Sequence, residues 1–304
     1  MKCIRGSKWK YLARIAALLA ACTPAGATVL LEDAFEYPDG DVVGVAGSPW
    51  TAHSGAGNGP VTLQQGQLIL SADGAEDISA LLAGAPHATD GSAGPLYAGF
   101  ILEVTGLPST DGSYWAHFRN TASSHRGRLW ISQTGAAEGR YRLGIGNSVG
   151  ADATTGPWDE DLELGVSYRV VVRYVPETGI STLWVNPGSE ADSGSTATDS
   201  PGITAISNFS FRQNGDIGQL RVDDLVVADT FAEVADDGMR LAIRREGGEV
   251  VVTWPVSEEV WGLEWTTNLQ DWFAYEEAPV QEGPAFEVRP DGGMPGVYYR
   301  LVQP

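Results

Sequence analysis

The chain of 304 residues is poor in cysteine and lysine. Its two cysteines and three lysines all lie in the first 22 residues, at Cys3, Cys22, Lys2, Lys8 and Lys10. The rest of the sequence therefore has no disulfide and no cysteine metal site. It also has no lysine for a Schiff base or an amine general base. Burial of apolar surface, and not cross-linking, must stabilise the fold.

Positive charge is also scarce. The chain has 19 Lys and Arg against 39 Asp and Glu, and the remainder after residue 27, with 14 arginines, has a formal charge of −25. A field this negative argues against nucleic acids and anionic membranes as partners. Solubility is the simplest role of such a charge.

The N-terminal segment has the pattern of an export signal. Five cations up to Arg14 precede the apolar run Ile15–Ala21, and Ala25–Ala27 has the small residues of a cleavage site. The apolar run is too short to cross a bilayer. We expect a signal peptide over residues 1–27, a secreted or cell-envelope protein and no transmembrane segment. The alternative is a lipid anchor, because Leu19–Cys22 resembles a lipobox that would lipidate Cys22.

Beyond the leader the sequence predicts an all-β protein. Short runs rich in β-branched and aromatic residues alternate with Gly, Pro, Asn, Asp and Ser clusters. The clearest hairpin joins Ser167–Tyr174 to Ser181–Val185 through the turn PETG. A break at AEVADDG predicts a first domain over 28–232, a linker over 233–238 and a small β-sandwich of fibronectin-like size over 239–304.

Several segments resemble the concanavalin-A/laminin-G-like jelly rolls of exported bacterial proteins. They are EDAFEYPDG at 32–40, Trp50, LWVNP at 183–187 and the segment FSFRQNGDIGQLRVDDLVVADTF at 209–231. The resemblance implies that the strand around Asp223 and Asp224 pairs with the first strand. VVVTWP, LEWTTNLQDW and VYYRLV resemble a short module that often ends such proteins. Glycan recognition is what the resemblance implies first, but a shared fold does not transfer an activity.

The stretch WDEDLEL, residues 158–164, holds four carboxylates in five residues. On a strand Asp159, Asp161 and Glu163 would share one face, as the paired carboxylates of glycosidases do. The jelly-roll glucanases, however, place a hydrophobic residue between the first Glu and the following Asp, whereas Glu160 is followed directly by Asp161. We therefore predict a charged approach to the strand that begins at Ser167.

The strand Tyr114–Arg119 carries the best candidate site. Alternation would place Trp115, His117 and Arg119 on one face, with Trp130 on a neighbouring strand. Aromatic rings stack on sugars while polar neighbours hold hydroxyl groups. We therefore predict that these four residues bind a ligand. In a polysaccharide lyase, His117 would instead be the base and Arg119 would neutralise a uronate.

Metal-ligand patterns are weak. The four histidines, at 53, 87, 117 and 125, lack the spacing of zinc sites. Asp39 and Asp41 flank Gly40 and are the candidates for calcium, with a plain hairpin turn as the alternative. We expect no cofactor, with calcium as the open exception.

Taken together, these features predict an exported, non-enzymatic protein that binds a polysaccharide or cell-surface glycan. Two alternatives stay open. One is a polysaccharide lyase or glycoside hydrolase on a jelly-roll fold. The other is a structural or adhesion protein of the cell surface without a small ligand.

Overall fold

A computed structural model describes residues 27–147, 155–199, 203–235, 241–246, 249–256, 261–268, 270–282, 285–290 and 297–302. Cys22 and all but the last residue of the expected signal peptide lie outside these ranges, as does the 236–238 part of the predicted linker.

The described residues up to Ala235 form seventeen strands and one helical turn. The strands are β1 (Val29–Asp33), β2 (Gly40–Asp41), β3 (Thr51–Ser54), β4 (Thr62–Gln64), β5 (Gln67–Ser71), β6 (Asp77–Leu81), β7 (Leu96–Gly106), β8 (Ser113–Arg119), β9 (His125–Ser132), β10 (Arg140–Gly146), β11 (Gly156–Pro157), β12 (Leu162–Glu163), β13 (Ser167–Val175), β14 (Ile180–Val185), β15 (Ser195–Thr196), β16 (Asn208–Arg212) and β17 (Gln219–Ala228). The helical turn α1 (Ala232–Ala235) follows.

These strands form two antiparallel sheets. A nine-stranded sheet has the order β15-β14-β13-β7-β17-β5-β4-β2, with β1 also paired to β17. An eight-stranded sheet has the order β11-β10-β9-β8-β16-β6-β3, with β12 also paired to β10. The chain crosses repeatedly from one sheet to the other, as between β5, β6, β7 and β8, while β8–β9–β10 and β13–β14 pair with their neighbours in sequence. Such crossovers are the connectivity of a jelly roll. The predicted all-β, concanavalin-like jelly roll is therefore confirmed.

The main core lies between the two sheets and is rich in aromatic rings. Its largest fully buried side chains are Trp50, Trp115, Tyr141, Tyr174, Phe35, Phe100, Phe118, Phe209 and Phe211. The predicted hairpin contributes through β13 and β14: Val172 faces this core with its partner Leu183, while Val171 and Trp184 face a second, smaller cluster on the other side. Strict alternation thus buries both faces of this part of the sheet.

The last strand of the jelly roll pairs with the first, as the resemblance implied. Leu225 to Ala228 of β17 pair with β1, and Gln219 to Val222 pair with β5. The register of β17 against β7 shifts between Asp223 and Val226, and Asp224 has a φ of 47°. This β-bulge allows the adjacent Asp223 and Asp224 to escape strict alternation.

The turn α1 covers the second cluster. Val234 is fully buried there with Phe231, and its carbonyl accepts a 3.0 Å hydrogen bond from Arg169 Nε. A Cβ on Gly99 would lie 2.1 Å from that same carbonyl oxygen, so only glycine allows the approach. The packed part of the jelly roll therefore includes α1, whose last three residues fall within the predicted linker 233–238.

The described residues after 240 form seven strands in two small sheets. The strands are β18 (Ala242–Glu246), β19 (Glu249–Pro255), β20 (Gly262–Thr266), β21 (Phe273–Ala274), β22 (Val280–Glu282), β23 (Ala285–Val288) and β24 (Tyr298–Val302). One sheet has the order β18-β19-β23-β22 and the other β21-β20-β24. Trp254 of the first and Leu263 of the second share a buried core. This arrangement is the predicted small, fibronectin-like β-sandwich.

Candidate functional site

The candidate site lies on the face of the eight-stranded sheet that points away from the main core. Strand β8 is irregular there, because Tyr114 pairs with Trp130 and Ala116 with Leu129. Trp115 and Ala116 consequently both enter the main core. The bulge brings Tyr114 and His117 to the same outer face, with ring centroids 5.6 Å apart.

Two guanidinium groups pack on the ring of Tyr114. Arg128 lies 4.6 Å and Arg212 lies 4.4 Å from the ring centre. Arg128 is only 3% exposed. Cation–π contacts of this kind are worth about 0.5–2 kcal/mol each, with the larger values where water is excluded.

Three histidines continue this face. The His117 ring lies 4.2 Å from that of His125 and 6.3 Å from that of His53. Together with Tyr114, Arg119, Arg128 and Arg212, these rings form what we call the arginine–histidine face. His117 is completely buried, and neither of its ring nitrogens has a hydrogen-bond partner among the described residues.

The histidines of this face are neutral at pH 7. Burial, followed by the positive charge of Arg119, lowers the pKa of His53 to about 4. Burial and then the charges of Arg128 and Arg119 lower the pKa of His125 to about 4. Burial lowers the pKa of His117 well below its usual value, with smaller effects from the two neighbouring histidines.

A hydroxyl network joins the histidines to Arg119. Ser79 Oγ lies 2.6 Å from His53 Nδ1 and 2.9 Å from Ser210 Oγ, and it accepts a 3.0 Å hydrogen bond from Arg119 Nη1. Asp77, at the start of the same strand, is the carboxylate of this region. Burial raises its pKa to about 6, although the charges of Arg212 and Arg119 act in the opposite direction.

A cleft of about 770 Å³ adjoins the arginine–histidine face. Tyr114 and Arg212 line both, so the two regions are continuous. The cleft also holds two tryptophans, Trp130 and Trp158, whose indole N–H groups have no acceptor among the described residues. The other lining side chains are Asp111, Ser113, Ser132, Thr134, Arg142, Leu143, Pro157, Asn214 and Asp216, with Gly112 and Gly144 between them.

The acidic stretch 158–164 contributes to this cleft through its tryptophan. Asp161 accepts a 2.6 Å hydrogen bond from Arg142 Nε, and Glu163 forms an ion pair with Arg140. Leu162 between them is buried in the main core. Asp161 and Glu163 of the acidic stretch thus bind arginines of strand β10, as expected for a charged segment that leads into a strand. Trp158 of the same stretch lines the cleft.

The prediction that Trp115 lies on the ligand-binding face is wrong. Trp115 is fully buried in the main core, with its ring stacked 6.3 Å from Phe211, because the β8 bulge reverses its side. It does not share a face with His117 and Arg119. Trp130, in contrast, is on the outer face, 5.7 Å from Tyr114. A ligand role for His117, Arg119 and Trp130 remains a prediction.

The calcium candidates are both exposed. Asp39 accepts a 2.8 Å hydrogen bond from the backbone of Gln65, and Asp41 belongs to the short strand β2. Within the described ranges, no group of three or more His, Cys, Asp or Glu side chains could hold a metal ion. Calcium binding at Asp39 and Asp41 stays a prediction.

Sequence reasoning missed several members of the site. Strands β3 and β6, which carry His53, Asp77 and Ser79, were not among the predicted strands. Tyr114 and Arg212 were also overlooked as site residues, since they meet only through the pairing of β16 with β8. The clustering of histidine and arginine between 117 and 128 was the one signal for this face.

Comparison with known proteins shows no family for this chain. No family model matches the chain, and no curated protein matches it. Solved structures similar to it include the CBM2 module of an evolved Dit from Lactobacillus casei BL23 phage J-1, at 12% identity and a TM-score of 0.43, covering 66% of this chain and 95% of that one.

Two further structures are similar at the same low level. A sialidase has 15% identity and a TM-score of 0.42, covering 66% of this chain and 19% of its own, so the present chain spans about a fifth of that protein. Lectin I-B4 from Griffonia simplicifolia has 11% identity and a TM-score of 0.38, covering 60% and 93% respectively. Likeness at this level transfers neither ligand nor activity.

In the part of the chain that the structure describes, no helix is long and apolar enough to cross a bilayer.

Proposed function

We propose that the protein is a non-catalytic glycan-binding protein and that the cleft beside Tyr114 is its binding site. The observation that carries the proposal is the partly exposed indole of Trp158 in a cleft lined by hydroxyl, amide and guanidinium groups and by the largely buried Trp130. Indole faces stack on sugar rings, and polar side chains at their edges fix the hydroxyl groups.

The experiment is affinity electrophoresis in gels that contain soluble polysaccharides, followed by calorimetry on the polymer that retards the protein. Trp158→Ala is the main variant, because Trp158 is only partly buried and lies at the edge strand β11. We expect at least a tenfold loss of affinity. Trp272→Ala, in the C-terminal unit, is the matched control and should bind as the wild type does. Equal binding by Trp158→Ala would overturn the assignment of the cleft.

A glycoside hydrolase is the second candidate, because two exposed carboxylates, Asp111 and Asp216, line the same cleft. Hydrolysis of a glycosidic bond needs such a pair. Release of reducing ends from the bound polysaccharide, abolished by Asp111→Asn or Asp216→Asn, would replace the non-catalytic proposal. The lyase alternative has less support, since the buried ring of His117 presents no surface to a polymer.

We also propose export through the N-terminal segment, with processing after Ala27. Mass spectrometry of the mature protein from its native host separates the two routes. A chain that begins at Thr28 is expected. A lipid-modified chain that begins at Cys22, lost from the membrane fraction on Cys22→Ser, would show the lipoprotein route instead.

A further inference from the structure

Three arginines of the arginine–histidine face lack carboxylate partners, in a chain with twice as many acidic as basic residues. Arg119, Arg128 and Arg212 form no ion pair within 4.0 Å with any described residue. Four other arginines of the jelly roll form ion pairs, Arg140–Glu163, Arg142–Asp161, Arg173–Glu190 and Arg221–Glu103. Three guanidinium groups without a carboxylate within 4.0 Å thus share one face.

The burial of this charge makes the shortage of anions costly. Arg128 is 3% exposed and keeps its proton at every physiological pH. Its Nε has no acceptor among the described residues, and neither does Nε of Arg119. A buried charge is stable only when it is paired or well solvated by hydrogen bonds. The ring of Tyr114 compensates only part of this cost.

Free donors also point to the open part of the site. Arg212 Nη1 donates to Ser113 Oγ at 3.0 Å and to the Tyr114 carbonyl at 3.3 Å. Its Nε and Nη2 donate to no described residue. Arg212 lines the cleft, so a ligand there would meet its guanidinium group. Its Nε and Nη2 form a two-donor fork that fits a carboxylate or a sulfate.

Carboxylates in the vicinity do not cancel this preference. Asp77 acts on both Arg212 and Arg119, and Asp199 acts on Arg128, which leaves two carboxylates against three guanidinium groups. Asp111 and Asp216 also line the cleft, but both are exposed and their fields are screened by water. Asp161 is already occupied by Arg142.

We propose that the glycan bound in the cleft is anionic and that its carboxylate or sulfate ester is recognised by Arg212, with the positive charge of Arg119 and Arg128 behind it. This inference rests on the proposed function. Trp158 would hold a sugar ring, and the arginine–histidine face would select a polymer with acidic substituents over its neutral counterpart.

The test uses two matched pairs of polymers in affinity electrophoresis and calorimetry. Polygalacturonate is compared with fully methyl-esterified pectin, and dextran sulfate with dextran. We expect at least tenfold tighter binding of an anionic member than of its neutral match, with an affinity that falls as salt rises. Preference within the first pair assigns a carboxylate, and preference within the second pair alone assigns a sulfate ester.

Variants locate the effect. Arg212→Gln should lower the affinity for the anionic polymer at least fivefold and flatten its salt dependence. Arg119 does not contact the backbone of β8 at Tyr114. Arg119→Gln should therefore also lower the affinity for the anionic polymer, and it keeps the proposal testable if Arg212→Gln does not fold. Arg221→Gln removes the same charge from the other sheet and should have no effect, because Arg221 faces Glu103.

The two failures are distinguishable. Equal affinity for both members of each pair, with binding still abolished by Trp158→Ala, would overturn the anionic preference and leave glycan binding intact. A loss of affinity on Arg221→Gln equal to that on Arg212→Gln would show that the preference depends on net charge alone, and it would also overturn the anionic preference of the site. Binding of none of these polymers, nor of any other tested polysaccharide, would overturn the proposed function itself.

Discussion

Arg212 lies 4.4 Å from the centre of the Tyr114 ring, on the strand that pairs directly with β8. Arg128 approaches the same ring from β9, the other neighbour of β8. One aromatic side chain on β8 thus positions two cations, one from each of the strands on either side, at the point where the cleft meets the arginine–histidine face.

The Tyr114 ring should be needed for stability as well as for binding. Tyr114→Leu removes both cation–π contacts, whereas Tyr114→Phe keeps them and loses only the long 3.4 Å contact of the hydroxyl with His125. We expect Tyr114→Leu to lower the free energy of unfolding by about 2 kcal/mol more than Tyr114→Phe does. Urea unfolding followed by tryptophan fluorescence measures both. Equal losses would show that the ring does not hold the arginines.

Trp50 joins the first strand to the core through a buried hydrogen bond. Its Nε1 donates to Asp33 Oδ2 at 2.7 Å, and the same carboxylate accepts from the backbone of Phe35 and from Tyr37. Trp50→Phe keeps most of the apolar volume but leaves this carboxylate short of a donor, so we expect a loss of about 2–3 kcal/mol in denaturant unfolding.

The matched control for that variant is Trp184→Phe. Trp184 is also buried, but its Nε1 donates to a neutral acceptor, the carbonyl of Asp192, at 3.1 Å. The expected loss is about 1 kcal/mol. A larger loss in Trp184→Phe than in Trp50→Phe would contradict the importance of the charged acceptor.

Protonation of Asp223, at the bulge of β17, should stabilise the folded protein at mildly acidic pH. Burial and then the neighbouring Asp224 raise the pKa of Asp223 to about 7, from an ordinary value of 3.8. The folded state therefore binds this proton more tightly, and its contribution to stability is lost as pH rises from about 4 through 7. Asp223→Asn removes that loss and still accepts the hydrogen bond from the Asp224 backbone.

We accordingly expect Asp223→Asn to raise the free energy of unfolding by about 1 kcal/mol at pH 8 and to change it little at pH 5. Asp73→Asn, at an exposed position, serves as the control and should leave the free energy of unfolding unchanged at both pH 5 and pH 8. A stabilisation that is the same at pH 5 and pH 8 would argue against a titrating Asp223.

The histidines of the arginine–histidine face should have the opposite effect: they should lower the stability of the protein as pH falls. The pKa values of His53 and His125 fall to about 4 in the folded protein, so the unfolded chain binds their protons first as pH decreases from 6.5. Stability that is complete above pH 6.5 is then lost towards pH 4. His117 is affected in the same direction and more strongly.

We expect the melting temperature to fall less between pH 6.5 and pH 4.5 in His117→Phe than in the wild type, as measured by scanning calorimetry. Tyr298→Phe, an exposed change in the C-terminal unit, should leave the slope as it is. An unchanged slope in His117→Phe would mean that the buried imidazole does not titrate on unfolding.

Much of the fold followed from local patterns. Alternation predicted the hairpin strands Ser167–Tyr174 and Ser181–Val185, and β13 and β14 each extend one residue beyond these bounds, because each has an apolar face that must be buried. The short strands β2, β11, β12 and β15 escaped, since two residues carry no period. Strand β6 escaped as well, although its middle residues are buried, because its run DISAL has no clear alternation.

For this protein the amino-acid sequence by itself determined the class: an acidic, all-β chain without disulfides or lysines in its body, whose strand around Asp223 and Asp224 closes the first sandwich. The tertiary structure alone decided which side chains meet. A single bulge in β8 sends Trp115 into the core and leaves His117 outside, and strand pairing brings Arg212 onto Tyr114 across 98 positions of sequence. Bulges and long-range pairings depend on the energy of the whole sandwich, so no local pattern encodes them.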